Sequence, residues 1–307
     1  LFLSELTDRQ KGLLAACVTA ATWSLLAILL KIALKYSDSY SIVWYRMLVS
    51  SSALMLWFLY QKQTADLRVF LKPPKLLLIA ALCLGFNYVG FMQGVHYASP
   101  ASAQIFIQIG PLLLALAGVF VFKEKLTRQQ SLGLVFCVFG FGFFFSDRVG
   151  HPQIQESFYL GLIWIVAAAV TWALFASLLK KLLTEWKSSQ VNIFIYVVVT
   201  LLYLPVVDWP SLAQAPWWVH ALYIFLGFNT ILAYGCLSIA LRYLPATQVS
   251  PIITMNPLLT LVLITLIDAL EWTIIPADPI GWKGYTGAVV AILGVRSVIA
   301  KNSGPKS

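Results

Sequence analysis

Hydrophobic positions in this chain come in long, nearly unbroken runs, not in the alternation of a half-buried strand or the one-sided stripe of a surface helix. A bilayer core about 30 Å thick takes about 20 apolar residues per helix. Runs of that size occupy 12–31, 41–60, 75–97, 99–122, 128–146, 158–180, 189–207, 217–242, 245–267 and 281–300. Only Ser99-Pro100 separates the third run from the fourth, and only Tyr243-Leu244-Pro245 the eighth from the ninth. Proline fits a first helical turn, so each of these pairs predicts a tight helical hairpin. In the last run twelve residues separate Lys283 from Arg296, so both side chains must snorkel toward water. The pattern predicts an all-α integral membrane protein with ten transmembrane helices.

Composition agrees. Of 307 residues 60% are hydrophobic and 11% charged, against about 25% charged in an ordinary soluble domain. No polar stretch is long enough for a second, soluble domain, so the chain reads as one membrane-embedded unit in contact with lipid. A formal charge of +9 could suggest nucleic acid, but the basic residues are scattered between apolar runs. They carry a topology signal instead. With a cytoplasmic N-terminus, the inner segments hold sixteen Lys and Arg residues, from Arg9 and Lys11 to Lys301 and Lys306, and the outer ones only Lys31, Lys35, Arg148 and Lys283. That bias predicts a multi-pass protein of the cytoplasmic membrane with both termini inside. Trp44, Trp57, Trp186, Trp209, Trp217, Trp218 and Trp282 fall near predicted helix ends, where an aromatic belt belongs. The stretch from Leu1 to Lys11 lacks a small-residue cleavage pattern, so the first run is expected to remain as a helix. Cys17, Cys83, Cys137 and Cys236 lie singly inside apolar runs, as packing residues and not as a disulfide or zinc framework.

The chain repeats itself. Gly12-Leu13, Thr22-Trp23-Ser24-Leu25 and Leu29-Leu30-Lys31 recur as Gly161-Leu162, Thr171-Trp172-Ala173-Leu174 and Leu178-Leu179-Lys180 at a constant offset of 149. Leu84-Gly85-Phe86-Asn87 returns as Leu226-Gly227-Phe228-Asn229, Pro100-Ala101-Ser102 as Pro245-Ala246-Thr247, and Gly110-Pro111-Leu112-Leu113 as Asn256-Pro257-Leu258-Leu259. The repeats span 1–147 and 157–301. Each holds five predicted helices, and an odd number makes the second copy enter from the opposite side. Lys31 therefore ends its helix outside and Lys180 inside. Inverted repeats of this kind are the frame of secondary transporters, with a substrate site near the midplane.

These residues also carry a family resemblance. Gly94-Val95-His96-Tyr97, Pro100-Ala101-Ser102, Pro111-Leu112, Phe122-Lys123-Glu124-Lys125-Leu126-Thr127 and Gly133 resemble the EamA domain, and Ala240-Leu241-Arg242-Tyr243-Leu244-Pro245-Ala246-Thr247 matches it again in the second copy. The second copy departs from the pattern at Asp268-Ala269-Leu270-Glu271-Trp272. Two such domains in tandem make up the ten-helix members of the drug/metabolite transporter superfamily. The resemblance implies transport of a small molecule, with export of amino acids or other metabolites as the favoured activity and uptake or exchange, nucleotide-sugar-like, as the alternative. It implies no cofactor.

Intramembrane polar groups must find partners or face a wet cavity. Gln104, Gln108 and Pro111 share one helix face by their spacing of four and three, and Ser250, Thr254 and Pro257 answer them at an offset of 146. Pro111 and Pro257 cannot donate to the carbonyls of Ile107 and Ile253, so kinks are expected there. Paired proline-interrupted helices point to a transporter site, although amides can also serve as glue between helices. Asn87 and Asn229, with Tyr88 and Tyr234 nearby, are further cavity candidates. Trp23 and Trp172 lie mid-membrane, where they would either gate an apolar solute or pack. Arg46 lies near the outer end of the second run and is expected to snorkel outward or pair locally, with carboxylate binding as the sharper alternative. Gly133, Gly140, Gly287 and Gly294 suit close helix packing. No Asp or Glu lies well inside a predicted helix, and His96, His151 and His220 belong to helix ends or loops. No nucleophile–base pair, phosphate loop or metal-ligand motif is present, so neither an enzyme nor a metal site is expected.

Overall fold

In a computed structural model, residues 6–62, 67, 69–71, 73–98, 100–149, 156–269 and 281–299 are described, and those residues are helical with short connections. The segments around His151, Gln153, Glu271 and Asp278 lie outside them.

The first helix, α1 (Asp8–Ala33), starts where Thr7 and Gln10 form a reciprocal capping box that satisfies two orphan amides. Asp38 opens α2 (Ser39–Tyr60) by accepting from the amides of Tyr40 and Ser41 at 2.8 and 3.2 Å. Next comes α3 (Lys75–Tyr97). The fourth apolar run is not one helix: it divides into α4 (Pro100–Phe106) and α5 (Ile109–Phe120). The ninth divides the same way, into α11 (Ala246–Ile253) and α12 (Asn256–Ala269). Each break lies one turn before a matched proline. Pro111 has no amide for the Ile107 carbonyl, and that oxygen instead accepts from Gly110 N three residues on, at 2.9 Å. The expected kinks are therefore breaks. The remaining helices are α6 (Arg128–Val149), α7 (Glu156–Leu182), α8 (Ser188–Tyr203), the short α9 (Trp209–Gln214), α10 (Trp217–Tyr243) and α13 (Trp282–Ile299).

Among the described residues six helical stretches are long and apolar enough to cross a membrane: 8–33, 39–60, 75–97, 158–182, 188–206 and 217–243. The outer surface carries exposed Leu78, Leu82, Phe136, Phe139, Ile163, Phe225 and Phe228. An apolar surface of this extent needs lipid or a partner against it.

The packing is reciprocal. α3 lies along α7 while α1 lies along α10, α5 touches α7 while α1 touches α12, and α2 meets α8, α5 meets α11 and α6 meets α13. Gly85 and Gly227 each offer a carbonyl across a helix contact, to Tyr203 Oη at 3.0 Å and Ser50 Oγ at 2.9 Å. Lys31 and Lys180 each donate to a helix-terminal carbonyl, of Val95 and Leu244, at 3.2 Å. Where α6 crosses α13 the backbones nearly touch. A Cβ on Gly140 would sit 2.5 Å from Ala291 N, and one on Gly294 would sit 2.7 Å from Gly133 O.

Candidate functional site

The two broken helices and the long helices around them line a pocket, partly open to solvent, of about 590 Å³. Its lining comes from α1 (Trp23, Leu26), α2 (Arg46), α3 (Asn87, Tyr88, Phe91), the α4–α5 break (Gln104, Ile107, Gln108, Pro111), α7 (Trp172), α10 (Tyr234) and the α11–α12 break (Ile253, Asn256). Aromatic rings form much of the wall. Trp23 meets Trp172 edge-on at 5.7 Å between ring centroids and tilts against Tyr234 at 5.5 Å, and Tyr88 lies 5.8 Å from Tyr234.

Each amide in the wall has a distinct tie. Gln104 donates to Trp23 O at 3.1 Å and accepts from Asn256 Nδ2 at 3.4 Å, so it joins the two breaks to α1. Asn87 donates to Ala168 O at 2.9 Å. Gln108 donates to Gln104 O at 2.9 Å, but its Oε1 is buried without a hydrogen-bond partner. A buried acceptor in that condition carries its full desolvation penalty unless a ligand or water meets it.

Of the residues expected from sequence, Trp23, Asn87, Tyr88, Gln104, Gln108, Pro111, Trp172 and Tyr234 come together here. Others do not. Asn229 faces a lateral groove with Thr22, Leu25, Phe225, Phe228 and Leu232. One residue turns a helix by about 100°, and it is the neighbouring Thr230, 1% exposed, that faces inward. Ser250 and Thr254 are buried outside the lining, their hydroxyls turned back onto Ala246 O at 2.8 Å and Pro251 O at 2.7 Å. Short hydroxyl side chains satisfy themselves on their own helix in this way, whereas glutamine reaches past it. Pro257 is buried but outside the lining.

Arg46 does not snorkel outward; of its expected fates it takes local pairing. It is 1% exposed, its Nη2 donates to Thr230 Oγ1 at 3.2 Å, and its Cζ stands 4.7 Å from the Tyr88 ring centroid. Distance from the helix end misled, because facing decides the outcome: Ile42, Val43, Arg46, Met47 and Ser50 form the buried face of α2. Thr230, Phe91, Ile107, Ile253 and Asn256 were also missed. Asn256 had a signal, since it precedes Pro257 as Gly110 precedes Pro111.

At the end of the molecule predicted to face inward, Glu124, in the loop between α5 and α6, caps the start of α11. It accepts from Ala246 N at 2.9 Å, Thr247 N at 3.0 Å and Thr247 Oγ1 at 2.8 Å, and pairs with Lys180 at 3.2 Å. Burial pushes the Glu124 carboxyl up, but the Thr247 and Ala246 amides, Lys180 and the Thr247 hydroxyl together hold it below the usual glutamate value. Among the described residues no group of three His, Cys, Asp or Glu side chains could hold a metal ion.

Comparison with known proteins places these features in context. The model of the EamA-like transporter family matches residues 10–146 and again 159–300. The chain is 34% identical over 287 residues to the uncharacterized inner membrane transporter YhbE of Escherichia coli (strain K12), covering 92% of this chain and 89% of that one. It is 28% identical over 283 residues to an uncharacterized transporter of Haemophilus influenzae, covering 92% of each. A solved structure, described only as the crystal structure of a protein, is similar with a TM-score of 0.72 at 15% identity, covering 94% of this chain and 97% of the other.

Proposed function

This chain belongs to the EamA-like transporter family, and from that premise we propose that it is a secondary transporter of the inner membrane. It carries a small neutral or zwitterionic metabolite, such as an amino acid, outward by alternating access. The cavity carries this reading. It is lined by helices from both parts of the chain that the family model matches, has polar groups at two helix breaks and keeps an unmatched acceptor, Gln108 Oε1.

The ten-helix, inverted-repeat architecture is supported by the exchange of partners between the two parts. Swapping first-part helices for their second-part counterparts turns the α1–α10 contact into the α7–α3 contact, and the α5–α7 contact into the α12–α1 contact. Two halves packed this reciprocally have two equivalent ways to lean on each other, which is what alternating access around a fixed central site requires. Glu124 and Lys180 tie the two parts together at one end, and opening that end to the cytoplasm would part them.

The nucleotide-sugar-like alternative is disfavoured by the lining, where Arg46 is the one cation among the described residues. A diphosphate calls for several basic groups. Everted membrane vesicles test outward transport: with the protein present they should take up a labelled neutral amino acid to equilibrium, while control vesicles exclude it. Entry only into right-side-out vesicles would make it an uptake carrier. Entry in neither orientation, across the amino acids, would remove the transport reading for that class of solute.

A further inference from the structure

The requirements of a generic neutral solute leave Arg46 unexplained. A guanidinium stays protonated in a protein, and a buried cation without an anion beside it is costly. Arg46 nonetheless has only neutral partners, the Thr230 hydroxyl and the face of Tyr88, with Tyr196 and Tyr234 nearby. Its Nε is buried with no hydrogen-bond partner, and among the described residues no carboxylate pairs with it. A structural strut between α2 and α10 would not need an unsatisfied donor on the cavity wall. The same cavity holds the opposite vacancy, the unpartnered acceptor Gln108 Oε1, with the rings of Trp23, Trp172 and Tyr234 around it.

We propose that Arg46 anchors the carboxylate of the transported solute, so that the cavity selects organic monocarboxylates with an apolar or aromatic body. This rests on the transport reading and narrows it. A carboxylate accepts from Nε and a neighbouring terminal nitrogen of the guanidinium in the paired geometry these groups favour. One guanidinium suits one negative charge, and the aromatic rings suit the rest of the solute. Gln108 Oε1 is left to accept a hydrogen bond from an ammonium or hydroxyl on the same solute.

Binding to the purified full chain, measured by calorimetry and thermal shift, tests this with matched probes: L-phenylalanine, 3-phenylpropanoate and L-phenylalaninamide, and the aliphatic set L-leucine, 4-methylpentanoate and L-leucinamide. At least one carboxylate set should bind, with its amide about ten- to hundredfold weaker, the range of a hydrogen bond to a charged group. Tighter binding of the amino acid than of the plain acid assigns a zwitterion, and equal binding assigns a simple carboxylate; both support the anchor. Arg46→Gln should erase the preference of acid over amide, a readout that a strut would not move. If that variant does not fold, the wild-type comparison still decides. Amides that bind the wild type as well as the acids overturn the proposal, as does a wild type that binds no probe or an Arg46→Gln protein that keeps the preference. Vesicles in which Arg46→Gln carries a carboxylate solute at the wild-type rate would remove the anchor and leave transport standing. Vesicles in which no variant carries anything would remove both.

Discussion

At the scale of single residues, the cavity separates polar side chains by what their own helix already satisfies. Gln108 Oε1 has no partner, while Thr254 Oγ1 is committed to Pro251 O. Gln108→Leu should therefore lower the apparent affinity for solute, and a lost neutral hydrogen bond of about 0.5–1.5 kcal/mol makes that about two- to tenfold. Thr254→Val should leave transport near the wild-type rate. Initial rates of labelled solute uptake into vesicles check both, and equal losses would mean that the two repeats contribute hydroxyl and amide alike. Helical spacing brought Gln104 and Gln108 into view because it fixes which residues share a face, and mid-membrane depth brought in Trp23 and Trp172. Sequence missed Thr230 and misplaced Asn229 because the letter-for-letter repeat aligns residues without fixing rotation, and one position shifts a side chain from the interior to the lipid side. Whether Arg46 snorkels or pairs locally stayed open for the same reason: axial depth is legible in a sequence, and facing is not.

At the scale of elements, two contacts make separate predictions. The α6–α13 crossing depends on glycines, and a methyl at Gly140 would meet backbone atoms of α13 that cannot rotate away. Gly140→Ala should lower the thermal midpoint in detergent, with a cost of about 1–3 kcal/mol for overpacking. An unchanged midpoint would mean that the helices are not this close. The second contact is the Glu124 cap on α11. Its folded carboxyl titrates below that of the unfolded chain, so its stabilisation is complete above the unfolded value and is lost as pH falls through the lowered folded value. Glu124→Gln should melt below the wild type at neutral pH, and the gap should close on acidification into the carboxylate range; a gap that widens instead would contradict this sign. The locations of the helices were legible because long apolar runs leave few alternatives. The breaks at 107–108 and 254–255 were legible only as prolines. A missing amide predicts a disturbance, but whether the helix bends or stops depends on what replaces the bond, here Gly110 N for the Ile107 carbonyl.

At the scale of the whole molecule, the distribution of Lys and Arg sets orientation. Single cysteines placed at residues 125 and 181, after the four native thiols are replaced, should be protected from an impermeant reagent in intact cells, and one at residue 35 should react. The reverse pattern would invert the protein in the membrane. Energy coupling is also a whole-molecule property. Among the described residues lining the cavity there is no Asp, Glu or His, the groups that intramembrane proton relays use. Arg46 can hold an anion but cannot pass a proton on. On the proposed reading a zwitterion would cross without moving net charge, and its flux is predicted to follow its own gradient.

Counterflow in reconstituted vesicles tests this account most directly. Proteoliposomes loaded with an excess of unlabelled solute and diluted into a trace of the labelled form should accumulate label transiently above equilibrium, with no ion gradient. A superimposed pH step of either sign should leave the peak unchanged. No overshoot, or accumulation that requires the pH step, would contradict it.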